Sequence, residues 1–255
     1  MTVPLSPEIV IVYFLMFARI GTMMMLMPGL GDRSLPVRVR LGVALLITLV
    51  LYPLHRPLYA VDLGQPAGVL LVLFQELAVG FTLGMAARIA VAALQTAGVV
   101  ISNTMGLGFA MQVDPTQGQQ GAVIGTFLTL TGLVLIFAAD LHHLVIAAIS
   151  DSFAIIQPGT LPDSGDAASF LAGAMARAFL IAIQLAAPFL VFAIVFNIGL
   201  GVLSKLMPQM QVFFVAMPAT IGVGFLILLL VIGVMMAHYL GSLESLLNDL
   251  AVGRR

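Results

Sequence analysis

The chain has 255 residues, 61% of them hydrophobic and 8% charged, with 10 Lys plus Arg against 11 Asp plus Glu. A soluble domain carries roughly 45–50% apolar and about 25% charged residues, so the composition describes an all-α polytopic membrane protein and excludes an ordinary soluble enzyme. So few cations build no basic face for nucleic acid, and the absence of cysteine removes disulfides, thiolate metal sites and cysteine nucleophiles.

Spanning a bilayer takes about 20 apolar residues in a helix, and six segments approach this. The first covers 9–27 and contains Arg19. No Lys or Arg precedes it, so it is read as a retained helix rather than a cleavable signal. The second, 41–54, has about 14 apolar residues and would reach only about 21 Å, short of the roughly 30 Å hydrocarbon core. The third, 67–101, carries Glu76 and Arg88. The fourth is 122–139, with a continuation past Asp140 to 156. The fifth, 170–200, carries Arg177, with Pro188 as an expected kink, and the sixth is 212–240, with Pro218 near its start. Such uneven lengths suit helices fitted into a protein assembly better than six matched spans. The expected division is an N-terminal helical half, 1–121, and a C-terminal helical half, 122–255, within one membrane-embedded unit. Arg33, Arg38 and Arg40 in the first loop, Lys205 in the last turn and an acidic loop after Asp140 place the basic loops in the cytoplasm by the positive-inside rule. Arg254 and Arg255 oppose that orientation.

Several constellations carry information. Gly80 with Gly84, and Gly121 with Gly125, form two G-x-x-x-G pairs, whose missing side chains let helices approach closely. The approach can be to a neighbouring subunit or within the chain. Arg19, Glu76, Arg88 and Arg177 lie inside apolar runs, where a charge needs protein, water or a route to the interface. Glu76 and Arg88 are about 18 Å apart along a straight helix, so they cannot pair with each other and need partners elsewhere. Asp140, His142 and His143 cluster, but adjacent helical residues point about 100° apart, so no convergence on a metal is expected. The motifs of zinc proteases, phosphate loops and serine hydrolases are missing, which leaves no cofactor, metal or catalytic assignment. The stretch 105–121, MGLGFAMQVDPTQGQQG, has no helical period. Gly106, Gly108 and Gly118 permit irregular backbone and Asp114–Pro115 favours a turn, yet Leu107, Phe109 and Met111 are apolar. Irregular backbone at membrane depth survives only when buried in protein or lining a cavity. A loop reaching into a pore and an interfacial loop dipping into lipid both remain open on these residues.

At this point the sequence resembles a known family. The run FARIGTMMMLMPGLGDRSLPVRVRLGVALLITLVLYP (17–53), the loop DPTQGQQ (114–120), the segment HHLVIAAISDSFAIIQPG (142–159) and the run NIGLGVLSKLMPQMQVFFVAMPATIGVGFLILL (197–229) are similar, in order, to the signatures of the FliR family of the flagellar type III export gate. The resemblance implies a non-enzymatic channel subunit of the inner membrane and flagellar basal body, assembled with FliP-type and FliQ-type subunits and an FlhB-type subunit. It implies that unfolded secreted proteins pass through the shared pore, and that hydrophobic segments form hairpins, several of which do not cross the bilayer. By position it puts a plug on residues 106–120, with Gly106, Leu107, Gly108, Phe109, Met111, Asp114, Pro115 and Gly118. The injectisome homologue of the same family is the near alternative, although the DPTQG and GDRSLPVRVRLG stretches look flagellar. A six-helix carrier of small solutes is the alternative of a different class.

Overall fold

A computed structural model describes residues 6–27, 29, 31, 36–59, 66–107, 123–160, 163–207 and 212–252. Among the described residues, seven α-helices and one short 3-10 turn make up the regular structure, and no strand occurs. Helix α1 spans Pro7–Leu26; a proline at the first position suits a helix start, because its missing N–H would go unbonded there anyway. Helix α2 spans Val37–His55 and passes into a 3-10 turn, Arg56–Leu58. This corrects the short second segment: counting apolar residues stopped at Arg40, but Arg is a good helix former and the helix runs through it. Arg40 reaches back to donate a 3.0 Å hydrogen bond to the Gly31 carbonyl, and Tyr13 of α1 donates to Leu45 O at 2.9 Å.

Helix α3, Pro66–Thr104, has 39 residues. Helix α4, Val123–Ala138, is the fourth segment, and its continuation past Asp140 is a separate helix, α5, Leu141–Ile155. The chain bends sharply between them, as a broken span or a re-entrant pair. Among the described residues Asp140, at the break, is the non-glycine residue of positive φ, at 56°, a conformation that Asp tolerates better than most side chains. Helices α6, Ser164–Leu206, and α7, Val212–Val252, have 43 and 41 residues. Pro188 and Pro218 lie inside them without ending them. Among the described residues five helices are long and apolar enough to cross a membrane, or six if α4 and α5 count as one span. The chain is therefore a polytopic helical membrane protein.

Two compact units emerge, each discontinuous in sequence. The first combines Met1–Ala90, Ala139–Met175 and Glu244–Arg255; the second combines Val91–Ala138 and Ala176–Leu243. They cut across the expected halves 1–121 and 122–255, because α3, α6 and α7 each contribute to both units. The core of the first unit includes Leu15, Ile20, Met23, Met24, Ile149 and Phe153. The methionine run of the first segment is thus mainly core, where an unbranched side chain fills irregular gaps. In the second unit Ala182, Ala186, Leu128 and Phe189 are fully buried. Apolar side chains also face outward, with Leu229 77% and Phe74 70% exposed, as suits surfaces bathed in lipid or covered by other proteins.

Candidate functional site

Two charged residues of the first unit meet in its interior. Glu76, Gly80 and Gly84 follow one another at four-residue spacing on α3, so they share one face. A Cβ at Gly80 would collide with the Arg19 backbone carbonyl, and one at Gly84 would lie 2.9 Å from both Met23 O and Leu26 Cβ. The two glycines therefore bring α3 against the backbone of α1. One turn before Gly80, this approach places Glu76 beside Arg19. The guanidinium grips the carboxylate with two parallel hydrogen bonds, Nε to Oε2 and Nη2 to Oε1, the latter at 3.1 Å. Arg19 is 1% exposed and Glu76 fully buried.

The remaining donors of Arg19 serve α5. Nη1 donates to Ser152 O and to Ile156 O, both at 3.0 Å, carbonyls at the C-terminal end of that helix. A helix C-terminus carries partial negative charge, so a guanidinium there is favourable, although Ser152 O also accepts the Ile156 N–H at 3.0 Å. The guanidinium carbon also lies 4.4 Å from the centroid of the Phe153 ring, a cation–π contact that gains strength away from water. His55 of α2 stacks on the same ring at 4.6 Å and sits 3.0 Å from Ser150 Oγ through Nε2. Tyr59, just past the 3-10 turn, is buried nearby with its ring 6.5 Å from Phe153. Burial and the Glu76 carboxylate push its phenol pKa well up, so the hydroxyl stays protonated. One arginine thus ties together three segments separated in sequence by more than 50 residues each. Arg19, Glu76, His55, Tyr59 and Phe153 are all buried, an arrangement suited to holding helices together.

The sequence marked Arg19 and Glu76 but did not pair them. Their link was legible in one feature: E-x-x-x-G-x-x-x-G puts the acid and the close-approach glycines on a single stripe. The other two intramembrane cations behave differently. Arg88 and Arg177 are both exposed. Among the described residues Arg88 has no ion pair.

The second unit contains the stem of the central loop. A Cβ at Gly98 would collide with Gly125 Cα, and one at Gly125 would lie 2.9 Å from the Gln95 side chain. Thr129 donates to Gly125 O at 2.8 Å and approaches Gln95 Oε1 at 3.4 Å. The C-terminal part of α3 and the start of α4 therefore cross backbone to backbone, closing both ends of the loop. Met105 is fully buried and occupies the space that a side chain at residue 224 would need: a Cβ on Gly224 would lie 2.5 Å from its Cγ. Gly106 then turns the chain with φ of 79°, which an L side chain rarely adopts, and Leu107 is half-buried. Gly108, Phe109, Met111, Asp114, Pro115 and Gly118 of the expected plug, and Gly121 of the second glycine pair, lie outside the described residues.

At the α4–α5 break the histidines correct an expectation. Nδ1 of His142 and of His143 each lie 4.0 Å from Asp140 Oδ1, and the two rings are 4.1 Å apart. One ligand atom from each of the three residues falls within 4.8 Å of the others. Adjacent residues leave a helix about 100° apart, but here the two imidazole rings turn toward each other and toward Asp140. Asp140 is 78% and His143 71% exposed, an open cluster far less enclosed than the Arg19 pair.

Comparison with known proteins agrees with this architecture. The family model for bacterial export proteins, family 1, matches residues 10–246. The chain is 38% identical over 216 residues to the flagellar biosynthetic protein FliR of Caulobacter vibrioides, covering 85% of this chain and 86% of that one. It is 33% identical over 241 residues to FliR of Pectobacterium carotovorum, with 93% and 92% covered. It is 27% identical over 234 residues to the Yop proteins translocation protein T of Yersinia pestis, with 89% and 87% covered. On a match that runs through every helix from α1 to α7, this chain belongs to the bacterial export proteins, family 1.

Proposed function

We propose that the chain is a non-enzymatic subunit of the flagellar type III export gate, needed for export of flagellar proteins and for flagellum assembly. The observation that carries this reading is its full-length similarity to flagellar FliR proteins, which reaches 38% identity. Similarity to the Yop translocation protein stands at 27%, which favours the flagellar system over the injectisome. In this reading the chain sits in the bacterial inner membrane and joins FliP-type, FliQ-type and FlhB-type subunits around a conduit for unfolded proteins. The segment 106–120 closes that conduit at rest, with Phe109 and Met111 as apolar fillers and glycines that ease its displacement. The fixed stem at Gly98–Gly125 and the seated Met105 support such a role, because a plug needs anchored ends and a movable middle.

The buried pair bears on the carrier alternative. A secondary transporter uses intramembrane charges at broken helices to bind ions or substrate from a cavity. Here Arg19 and Glu76 spend their hydrogen bonds on each other and on backbone carbonyls, and both are closed to solvent. Two measurements test the proposal. Loss of the gene should abolish flagellar protein export and motility, with restoration by the intact gene. Replacing 106–120 with a short flexible linker should raise ion leak through the assembled gate. Normal export without the gene contradicts the function, and unchanged conductance in an assembled complex contradicts the plug.

A further inference from the structure

The break between α4 and α5 gathers three side chains of metal-ligating type that the export reading does not use. Asp140, His142 and His143 occupy the break and the first turn of α5. One ligand atom from each lies within 4.8 Å of the other two, and among the described residues no other three His or acidic side chains converge in this way.

Their spacing suits a ligand set better than an ion pair. A carboxylate bonded directly to one imidazolium draws it to about 2.7–2.9 Å. Here Oδ1 of Asp140 stands 4.0 Å from Nδ1 of His142 and 4.0 Å from Nδ1 of His143, closer to neither. Two donors that are each about 2.1 Å from a tetrahedral zinc ion are about 3.4 Å apart. Taking up a shared ion therefore moves each donor by only about half an ångström, a shift that small changes of χ angle supply on side chains as open as these.

The carboxylate is also uncommitted to its helix. An Asp at an N-cap usually accepts a hydrogen bond from the backbone of the first turn. Asp140 makes no such side-chain bond, and its Oδ1 is turned to the two histidines instead. At 78% exposure it belongs in water rather than in lipid, where a bare carboxylate is costly, so an ion can reach it. No Lys or Arg stands between Arg88 and Arg177 in the sequence, so the local chain supplies no cation of its own.

We propose that Asp140, His142 and His143 form a binding site for a divalent transition-metal ion of the zinc class. Two imidazoles and a carboxylate suit zinc, nickel or copper, whereas magnesium and calcium take oxygen ligands. Three protein ligands leave one position for water. The ion ties the break residue to the first turn of α5, the helix whose other end Arg19 grips. The site stands or falls independently of the export reading.

The test uses the full chain purified in detergent with an affinity tag free of histidine, stripped by a chelator and titrated with Zn²⁺ in a calorimeter. One Zn²⁺ per chain is expected, and an excess of Mg²⁺ of about a hundredfold should not displace it. Loss of a group that merely supports a ligand costs about 10–100-fold in metal affinity. His143→Gln and Asp140→Asn should therefore each weaken binding by about tenfold or more, and His142→Gln combined with His143→Gln by about a hundredfold or more. Asn tolerates the left-handed backbone as Asp does, so Asp140→Asn removes the charge and keeps the turn. His238→Gln, at a histidine outside the site, should bind Zn²⁺ as the intact chain does. Bound Zn²⁺ should also slow amide hydrogen exchange in the first turn of α5. If the double variant does not fold, the electron paramagnetic resonance spectrum of bound Cu²⁺ decides, with coupling to two imidazole nitrogens in the intact chain and to one in His143→Gln. Absence of stoichiometric binding, unchanged binding in the double variant, an equal loss in His238→Gln, or a Cu²⁺ spectrum that His143→Gln leaves unaltered overturns the site. Unchanged exchange in the Zn²⁺-bound chain overturns the fastening of α5. Flagellar export is scored separately by motility, and none of these results bears on it.

Discussion

Both compact units use close glycine contacts, but among the described residues the first adds a buried ion pair. In the unit that contains α1 and α5, a buried ion pair and two backbone carbonyls join three distant segments through the single side chain of Arg19. In the unit that contains α4 and most of α7, the described close contacts are between glycines, as at Gly98 and Gly125, or between a glycine and a flexible side chain, as at Gly224 and Met105. The difference follows from what each site must satisfy. A carboxylate buried as deeply as that of Glu76 needs donors, and a guanidinium supplies several in a fixed plane. Two long helices crossing side by side have their backbone groups bonded internally, so only the distance between them has to be set, and small residues set it. A charged fastening is strict, since half of it is worse than none. A fastening of small residues fails by degrees, according to the size and stiffness of what is added.

That contrast can be broken or sharpened by substitution, with unfolding by denaturant in detergent as the measurement. The largest effect is expected from Arg19→Met, which leaves Glu76 buried without its counter-charge and removes the bonds to Ser152 O and Ile156 O; about 3–5 kcal/mol should be lost. Little change on adding salt is expected for the intact protein, because the pair is shielded from solvent. Gly98→Val comes next. Its side chain meets backbone at Gly125, which cannot step aside, and overpacking of this kind costs about 1–3 kcal/mol. Gly224→Ala meets only the thioether chain of Met105, which can change rotamer, so a loss below about 1.5 kcal/mol is expected. In cells the same change should raise ion leak if Met105 anchors the plug. The smallest effect belongs to His238→Ala. Its Nε2 lies 2.9 Å from Gln184 Oε1 on an exposed face, and a single polar contact between membrane helices averages about 0.6 kcal/mol. A loss for His238→Ala as large as that for Arg19→Met would end the distinction between strict and graded fastenings.

Much of the fold was legible because apolar length is a strong signal: each of the six segments corresponds to a helix or to the α4–α5 pair. Ends were misplaced where a charge or a proline was taken as a boundary, as at Arg40 and Pro53, although the helix runs through both and Arg40 reaches back to the Gly31 carbonyl. The break at Asp140 was marked by a polar residue but not by Gly or Pro, so a continued segment remained open. The inner clamp was half visible. Glu76, Gly80 and Gly84 share a stripe that sequence displays, but the partner on α1 and the α5 carbonyls are joined only by tertiary packing, and main-chain acceptors have no sequence signature. The convergence of Asp140, His142 and His143 escaped the helical-angle argument, which fixes where residues leave the helix but not where long side chains end. The family signatures, by contrast, lie in contiguous runs, which is why the resemblance could be read from order alone.

The central structural claim is that Arg19 and Glu76 act as one unit that fastens α1, α3 and α5. A double-mutant cycle with Arg19→Met, Glu76→Met and both together, read by denaturant midpoint in detergent, tests it directly. Strong coupling is expected: each single change should be severely destabilising, and the double variant should recover most of the loss, since two apolar side chains leave no unpaired charge. Losses that simply add, with the double variant the least stable of the three, would contradict it.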